Sequence, residues 1–272
     1  MQASSIGSGV EGAEPPPARS ADLKLIKATP ELLQTESVRA LLAQLRIELI
    51  LSLRRGESLL ITLVVPVVLL VFFGAVASSP PEFLVPGLLA LAVMSTSMVS
   101  LGIATAYERY YGALKRLLGA PLPRLSLLAA KTLAILITEI VQVVLLIAIA
   151  RVAFGWTPSG SPLLAIVALG LGSVAFAGLG LLMAGTLRAE ATLAVANGLY
   201  LVFLLLGGFI LPLDRLPGPI GIAARALPAA ALTDATRAAL IDPVQGVVGP
   251  LALLATWAVV GIGAAALTFR AD

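Results

Sequence analysis

The sequence predicts an all-α integral membrane protein with six transmembrane helices. Of its 272 residues, 59% are hydrophobic and only 12% are charged, and the mean hydropathy is +1.02. A typical soluble domain has about 25% charged residues. Six apolar stretches are each long enough to cross a bilayer, which takes roughly 20 apolar residues. Lipid is therefore expected to surround most of this chain.

The composition excludes several classes of function. The chain has no Cys and no His, which rules out disulfides, thiolate or imidazole metal ligands, and mechanisms with a Cys nucleophile or a His base. The net charge of +3 does not indicate nucleic-acid binding, because the basic residues flank apolar stretches instead of forming a stripe. We expect neither a cofactor nor a metal ion in this chain.

The N-terminal part predicts two segments before the first span. Residues 1–34 combine Gly, Ser, three consecutive Pro and mixed charges without apolar periodicity, which is typical of a disordered leader. In residues 35–57, apolar side chains recur at helical spacing opposite a basic face. We expect an amphipathic helix at the cytoplasmic membrane interface. A surface helix of a small soluble domain is the alternative.

The transmembrane domain is predicted over residues 58–272. Its six spans are Ser58–Val76, Phe83–Tyr107, Ser126–Phe154, Pro162–Leu187, Ala191–Leu211 and Val247–Phe269. Tight turns are expected at Ser78–Glu82 and at Arg188–Glu190, and Pro66 is expected to kink the first span.

The orientation follows from the distribution of basic residues. With the N-terminus on the cytoplasmic side, fourteen of the 18 Lys and Arg residues fall on that side. The four outside are Arg151, Arg215, Arg225 and Arg237. Because cytoplasmic segments carry an excess of Lys and Arg, both termini are predicted to be cytoplasmic.

Polar side chains inside the spans are candidates for function. A charged carboxylate at the centre of a span costs about 2.5–3.5 kcal/mol, so Glu139, with Gln142 beside it, is expected to face protein or water. A hydrogen bond to a neighbouring helix is the preferred interpretation, and a proton relay is the alternative. Gly170, Gly172, Gly178 and Gly180 are expected to permit close helix packing.

The second span carries a mixed Met and Ser set. Met94, Ser97 and Met98 are candidates for a substrate path, because Met makes adaptable apolar contacts. Small polar residues also hold helices together, and this alternative stays open.

A long cytoplasmic connection follows the second span. The segment from Glu108 to Leu118 predicts a short amphipathic helix, stopped by Gly119 and Pro121. Its leucines share one face: Leu114, Leu117 and Leu118. An interfacial loop that only fixes the topology is the alternative.

A second long connection, Pro212–Gly246, is expected on the extracellular side between spans five and six, where it packs on the membrane or dips into it. It is too apolar for a solvated loop of this length. Pro217 and Pro228 divide it into two short helices, which predicts a re-entrant helical hairpin. An ordinary extracellular cap is the alternative.

These two connections carry a family resemblance. The first has the form Glu108-Arg109 … Gly112 … Leu114 … Arg116-Leu117-Leu118 … Pro121 … Arg124. The second has the form Gly208-Phe209 … Pro212 … Leu216-Pro217 … Leu227-Pro228 … Asp234 … Arg237. Both patterns resemble those of ABC-2 type transporter permeases, most closely the small bacterial permeases of the daunorubicin-resistance type. The resemblance covers residues 36–270 and includes all six spans.

The resemblance implies a function in drug, lipid or lipid-linked glycan export across a bacterial plasma membrane. In this family two permease subunits pair as a homodimer or a paralogous heterodimer, and each binds a cytoplasmic ATPase subunit that holds ATP and Mg²⁺. The coupling segment would comprise Glu108, Arg109, Gly112, Leu114, Arg116, Leu117 and Leu118. Three residues of span five would face the central cavity of the dimer: Asn197, Tyr200 and Phe203. The sequence has no phosphate-binding Gly-x-x-x-x-Gly-Lys-Ser/Thr loop of its own, so this chain is expected to be no enzyme.

Other functions compete with an exporter subunit of this kind. One alternative is a non-transporting membrane scaffold or assembly subunit, and no feature of the sequence distinguishes it from an exporter subunit. A secondary transporter usually has repeated halves and charged midplane sites, and no convincing repeat is present. An intramembrane Ser protease would need a base such as His, which the chain lacks.

Overall fold

The computed structural model describes residue 39 and residues 42–50, 56–76, 79–112, 124–241 and 246–268. The chain divides into two compact units, Met1–Ala40 and Leu41–Asp272, and nearly all described residues belong to the second. Within the described ranges the regular structure is helical and contains no strand, as predicted. The predicted leader, 1–34, lies outside the described residues.

Residues 42–50 form the described part of the predicted N-terminal amphipathic helix. Its polar residues Gln44 and Glu48 are buried, and the Gln44 side chain donates a hydrogen bond to the Glu48 carboxylate at 3.2 Å. The exposed large apolar side chains are Leu42, Ile47 and Ile50. The helix therefore turns Gln44 and Glu48 towards protein and leaves these apolar groups, together with Arg46, on the surface, which suits contact with the membrane interface.

The helices of the membrane domain follow in chain order. They are α1 Gly56–Val71, α2 Pro81–Met94, α3 Leu101–Tyr110, α4 Arg124–Phe154, α5 Pro162–Thr186, α6 Ala189–Leu206, α7 Gly218–Arg225, α8 Pro228–Ile241 and α9 Val248–Thr268. A π-helical turn, Phe72–Val76, continues α1, and a second, Ser95–Ser100, joins α2 to α3. A short 3₁₀ helix, Leu213–Arg215, precedes α7.

Five helices in the described part of the chain are long and apolar enough to cross a membrane. They are Pro81–Tyr110, Leu133–Phe154, Pro162–Thr186, Ala189–Leu206 and Val248–Thr268. Each corresponds to one of the predicted spans two to six. The first predicted span coincides with α1 and its π-helical continuation, of which Val64–Val76 is a shorter apolar helix. The chain is therefore a multi-pass membrane protein, and a sixth crossing by α1 stays a prediction.

The predicted end of span five is wrong by several residues. The apolar run suggested a helix to Leu211, but α6 ends at Leu206. Gly208 adopts a φ of +72°, a left-handed conformation that glycine accepts without steric cost. Phe209 then turns inwards and is fully buried. The apolar run therefore continues beyond the helix, and its last residues form the bend that follows α6.

The second span, Pro81–Tyr110, is the central helix of the bundle. In its most apolar window 89% of the residues are buried, whereas the last span has 22%. The outer spans instead expose many Val, Leu and Ile side chains. In a membrane protein these faces are solvated by lipid, so the burial pattern separates an interior helix from lipid-facing ones.

Glycines permit the closest helix contacts, as predicted for three of the four in α5. A Cβ on Gly178 would lie 2.6 Å from the carbonyl carbon of Gly261 in α9, and one on Gly180 would lie 2.8 Å from the Met98 carbonyl oxygen. Gly172 similarly faces Leu232 of α8. Gly170 has no neighbour within 4 Å and plays no such part.

The connection between spans five and six contains two helices, α7 and α8, separated at Leu227–Pro228. Most of α8 is buried, and it packs against α2, α5 and α9. The indole nitrogen of Trp257 in α9 donates to the Ala226 carbonyl at 3.0 Å between the two short helices. Its second helix, α8, is therefore part of the bundle, whereas most residues of α7 are exposed.

Candidate functional site

The π-helical turn Ser95–Ser100 interrupts the central span at the polar set found in the sequence. It contains three buried hydroxyl residues, Ser95, Thr96 and Ser97. A π turn has a wider backbone than an α-helix and often marks a functional position. Here it brings hydroxyl groups of consecutive residues towards α4, and Gly180 of α5 lies against its carbonyl oxygens.

Glu139 of α4 is the acidic centre of this buried region. Its side chain is 4% exposed, and its two carboxylate oxygens accept hydrogen bonds from the hydroxyls of Ser97 and Ser173. The three residues come from the π turn, α4 and α5. The carboxylate thus faces protein and joins three spans, in keeping with the cost of exposing such a group to lipid.

Gln142 lies one turn along α4 from Glu139 and faces the same π turn. Its side-chain oxygen accepts a hydrogen bond from the Thr96 hydroxyl at 2.7 Å. The amide nitrogen of Gln142 is buried and has no hydrogen-bond partner within the described ranges. Glu139 and the four hydroxyl and amide side chains near it form what we call the core polar cluster: Thr96, Ser97, Glu139, Gln142 and Ser173.

The candidate path residues of span two lie in the interior. Met94, Ser97 and Met98 are all fully buried. Ser97 belongs to the core polar cluster, and the two methionines belong to the main hydrophobic core. These three residues line no surface of the described chain, so a path along them would need the surrounding helices to separate.

The candidate path residues of α6 occupy three different environments. Asn197 is exposed, and its amide donates to the Leu193 carbonyl of its own helix at 2.9 Å. Tyr200 is half-buried, and Phe203 is buried against Phe176 with ring centroids 5.8 Å apart. Of these three residues, only Asn197 is exposed. The two candidate sets meet in the interior, because Phe203 belongs to the same hydrophobic core as Met94 and Met98, and Tyr200 packs against that core.

The proposed coupling segment is described only at its start. Glu108 is buried, and α3 ends two residues later at Tyr110. Gly112 has a φ of +68°, which ends the helix in a left-handed cap. The predicted helix over Glu108–Leu118 is therefore wrong in its first part, because a break at Gly112 separates Glu108 and Arg109 from the rest of the segment. The other predicted residues, Leu114, Arg116, Leu117 and Leu118, lie outside the described residues.

Arg109 binds within the chain at this end of the bundle. Its Nη1 donates to the Gly185 carbonyl at 2.6 Å, and its Nη2 donates to the Leu187 carbonyl at 2.5 Å. Gly185 lies in the last turn of α5, and Leu187 lies in the turn between α5 and α6. A buried trio of alanines packs beside this contact: Ala106, Ala184 and Ala189.

Arg237 makes a comparable contact at the opposite end. Its guanidinium lies 4.0 Å from the centroid of the Phe83 ring, and its Nη2 donates to the Gly208 carbonyl at 3.0 Å. Asp234 lies one turn before it, 3.7 Å from Nη1. Burial raises the pKa of Asp234, and the nearby Arg237 opposes that shift. Arg237 thus attaches α8 to the start of α2 and to the bend that follows α6.

Two of these features were missed in the sequence, where each leaves only a weak signal. The π turn leaves no periodic signal, although the unusual density of Ser and Thr in an apolar span indicates its position. The Arg109 contact joins residues 76 and 78 positions apart, and only the tight turn after α5 suggests that carbonyl groups are exposed there. No group of three or more His, Cys, Asp or Glu side chains able to hold a metal ion occurs among the described residues.

Comparison with known proteins identifies the family. The family model described as ABC-2 type transporter matches residues 39–241, which is most of the chain and includes both motifs. No curated protein matches the sequence of this chain. The chain therefore belongs to the ABC-2 type transporter family, whose membrane domain is the permease component of an ABC-type transporter.

Proposed function

We propose that this chain is the permease subunit of an ATP-driven exporter in a bacterial plasma membrane, with six spans and both termini in the cytoplasm. It pairs with a second permease subunit, identical or paralogous. Each permease binds a cytoplasmic ATPase, which holds ATP and Mg²⁺. The transported molecule is hydrophobic or amphiphilic: a drug, a lipid or a lipid-linked glycan. In such a complex this chain is not itself an enzyme, and the assembled complex is the translocase.

The continuity of the coupling segment with the central span carries this proposal. Glu108, Arg109 and Gly112 lie at the end of the most deeply buried helix of the bundle. An ATPase that grips the adjoining residues, through Leu114, Arg116, Leu117 and Leu118, would therefore pull directly on the interior of the bundle. A force applied to a lipid-facing helix would have a smaller effect on the packing of the core.

The position of α8 supports a re-entrant hairpin on the extracellular side. Leu232 of α8 contacts α5 at Gly172. Gly172 is ten residues after the start of α5 at Pro162, which places it roughly 15 Å along that helix. A cap resting on the outer surface would not reach so far. We infer that α7 and α8 enter the outer half of the membrane domain and close the outward side of the path.

The core polar cluster supports a path that opens between the spans. Met94 and Met98 flank this cluster in sequence, and the π turn is a local departure from a regular helix that can act as a hinge. Separation of α2 from α4 would expose methionine and hydroxyl groups together, a surface suited to an amphiphile. Asn197 and Tyr200 on α6 would meet the substrate where two permease subunits face each other.

The proposal is tested by purification and transport with the natural partner. The tagged chain is extracted in a mild detergent, and the co-purifying ATPase is identified by mass spectrometry. The two subunits are then reconstituted in liposomes with the ATPase facing outwards. We expect ATP-dependent uptake of a fluorescent lipid or amphiphilic dye into these vesicles, and no uptake when the ATPase carries a substitution of its phosphate-loop Lys.

The competing functions give different results in the same assay. A secondary transporter would take up substrate in response to an ion gradient without ATP. A scaffold or assembly subunit would co-purify with other proteins but would support no uptake under either condition. If uptake instead required vesicles with the ATPase and ATP inside, the complex would be an importer. That result would contradict the proposed direction of transport.

A further inference from the structure

Arg109 lies in the last turn of α3, three residues before the glycine that ends this helix. Its two terminal nitrogens donate to the carbonyls of Gly185 and Leu187, at 2.6 and 2.5 Å. The fork of a guanidinium is suited to such paired contacts, because its donors are held in one plane. Both terminal nitrogens of Arg109 are thereby engaged within the chain.

The acceptors are groups that the end of a helix leaves without amide partners. The helix α5 ends at Thr186, and its last four carbonyls have no intrahelical donor. The Met183 carbonyl is satisfied by the Leu187 amide and the Thr192 hydroxyl. Arg109 supplies a donor for the Gly185 carbonyl, which is another of these four, and one for the carbonyl of Leu187, the residue that follows the helix. Its positive charge complements the negative end of the helix dipole. Arg109 is thus a helix cap supplied by another span.

Small apolar side chains pack beside Arg109. Ala106 of α3, Ala184 of α5 and Ala189 of α6 are all buried, with Tyr107 packed against them. Alanine contacts allow the three helices to approach closely but do not fix their direction, because dispersion forces are weakly directional. The two hydrogen bonds from Arg109 are the directional link between the end of α3 and the turn after α5.

We propose that Arg109 is a positioning residue that transmits movement of the coupling segment to the turn between α5 and α6. The proposal deepens the proposed function and rests on it, because the movement originates at a bound ATPase. It assigns to Arg109 a role inside the permease and not at the ATPase surface. Two spans, α5 and α6, would then follow the central span when the ATPase moves it.

Three variants test this role in the reconstituted complex with the ATPase. Arg109→Gln removes the charge and the paired donors, whereas Arg109→Lys keeps the charge and a donor. Arg188→Gln is the matched control, because Arg188 is an exposed basic residue of the same turn. The readouts are the affinity for the ATPase, the amount of substrate transported per ATP hydrolysed, and nucleotide-dependent hydrogen exchange of peptides covering residues 110–123 and 183–192.

We expect Arg109→Gln to bind the ATPase as tightly as the unchanged protein does. Transport per ATP should fall by about fivefold or more, which is the lower end of the range typical of coupling between two sites. Nucleotide should still alter exchange in residues 110–123 but no longer in residues 183–192. Arg109→Lys should give an intermediate ratio of transport to hydrolysis, and Arg188→Gln should resemble the unchanged protein.

Two results would overturn the proposal. The first is weakened ATPase binding by Arg109→Gln with an unchanged transport ratio, which would make Arg109 a docking residue. The second is a nucleotide response of residues 183–192 that persists in Arg109→Gln. If the unchanged chain bound no ATPase, the proposed function would fail instead. The cap itself would then be tested in the isolated chain, where Arg109→Gln should accelerate exchange at residues 183–192.

Discussion

The hydroxyl of Ser97 donates a hydrogen bond to the carboxylate of Glu139 across two spans, between residues 42 positions apart. Ser97 belongs to the π turn of the central span, and Glu139 lies within α4. A second hydroxyl, from Ser173 of α5, binds the other carboxylate oxygen. The carboxylate therefore helps to fix one arrangement of the three helices. Apolar side chains alone would select that arrangement less specifically, because their contacts are not directional.

The first prediction concerns the replacement of Glu139. Glu139→Gln keeps one oxygen acceptor for Ser97, and Ser173 already has the Leu169 carbonyl within reach at 3.0 Å, so folded yield and transport should change little. Glu139→Leu leaves the Ser97 hydroxyl buried without an acceptor, at a cost of about 1–3 kcal/mol. We expect a lower melting temperature and less monodisperse protein by size-exclusion chromatography.

Ile140→Leu is the control for this experiment, because Ile140 is the next residue and is exposed. It should match the unchanged protein in yield and melting temperature. If Glu139→Gln abolished transport at normal yield while Glu139→Leu folded normally, Glu139 would act as a proton relay and its structural role would be refuted.

The second prediction concerns the contact between α5 and α9. A Cβ on Gly178 would lie 2.6 Å from the backbone of Gly261, which cannot move as a flexible side chain could. We expect Gly178→Ala to lower the free energy of unfolding by about 1–3 kcal/mol through overpacking. The measurement is the melting temperature in detergent.

Gly170→Ala is the matched control on the same helix, because no atom lies within 4 Å of its added methyl. It should leave stability unchanged or raise it, since alanine favours a helix over glycine by about 1 kcal/mol. Equal effects of the two substitutions would show that helix propensity, and not the close approach to Gly261, governs this position.

The third prediction concerns the attachment of α8 by Arg237. Arg237→Ala removes a cation–π contact with Phe83 and a hydrogen bond to the Gly208 carbonyl, together about 2 kcal/mol. We expect the C-terminal end of α8, which carries Arg237, to loosen. A Cys placed at the fully buried Thr236 should then react faster with a thiol reagent.

Arg225→Ala serves as the comparison, because the ion pair of Arg225 with Asp214 lies on the surface, with side chains 61% and 83% exposed. Such pairs contribute at most about 1 kcal/mol. It should not alter labelling at position 236. Equal labelling rates in the two Arg variants would contradict an anchoring role for Arg237.

The fourth prediction concerns orientation. Arg109 and Arg188 lie at one end of the bundle, whereas Arg151 and Arg237 lie at the end where the turn after α4 meets α8. The excess of basic residues predicts that the first end is cytoplasmic. Because the chain has no Cys, Thr157→Cys and Arg188→Cys can each be labelled alone. An impermeant reagent on intact cells should label only position 157, and labelling of position 188 alone would invert the topology.

The spans were predictable because a bilayer imposes a minimum length on apolar runs. The side-chain contacts between the spans were less predictable. A charged carboxylate is costly in lipid, so the sequence predicts that Glu139 has partners in the protein. It does not predict that these partners are Ser97 and Ser173, because the position of Ser97 depends on the π turn, which shifts the register of the central span. The end of α6 was placed too late because Gly207 and Gly208 extend the apolar run while breaking the helix. The capping role of Arg109 depends on tertiary packing, which local sequence patterns do not predict.

The last prediction concerns Leu117, whose place in the coupling segment rests on the sequence and the family. An apolar anchor in a closed groove of a partner contributes about 2 kcal/mol or more, whereas a charge pair at the rim contributes little. Leu117→Asp should therefore uncouple the complex: the permease stays inserted and paired, while transport and substrate-stimulated ATP hydrolysis fall together. Arg116→Ala should weaken ATPase binding mildly, with a larger effect at low salt because rim charges are then less screened. Co-purification of the ATPase and vesicle uptake measure both effects. Normal export by Leu117→Asp with its partner would leave the segment after Gly112 as a topological loop and would transfer the ATPase contact to another part of the cytoplasmic surface.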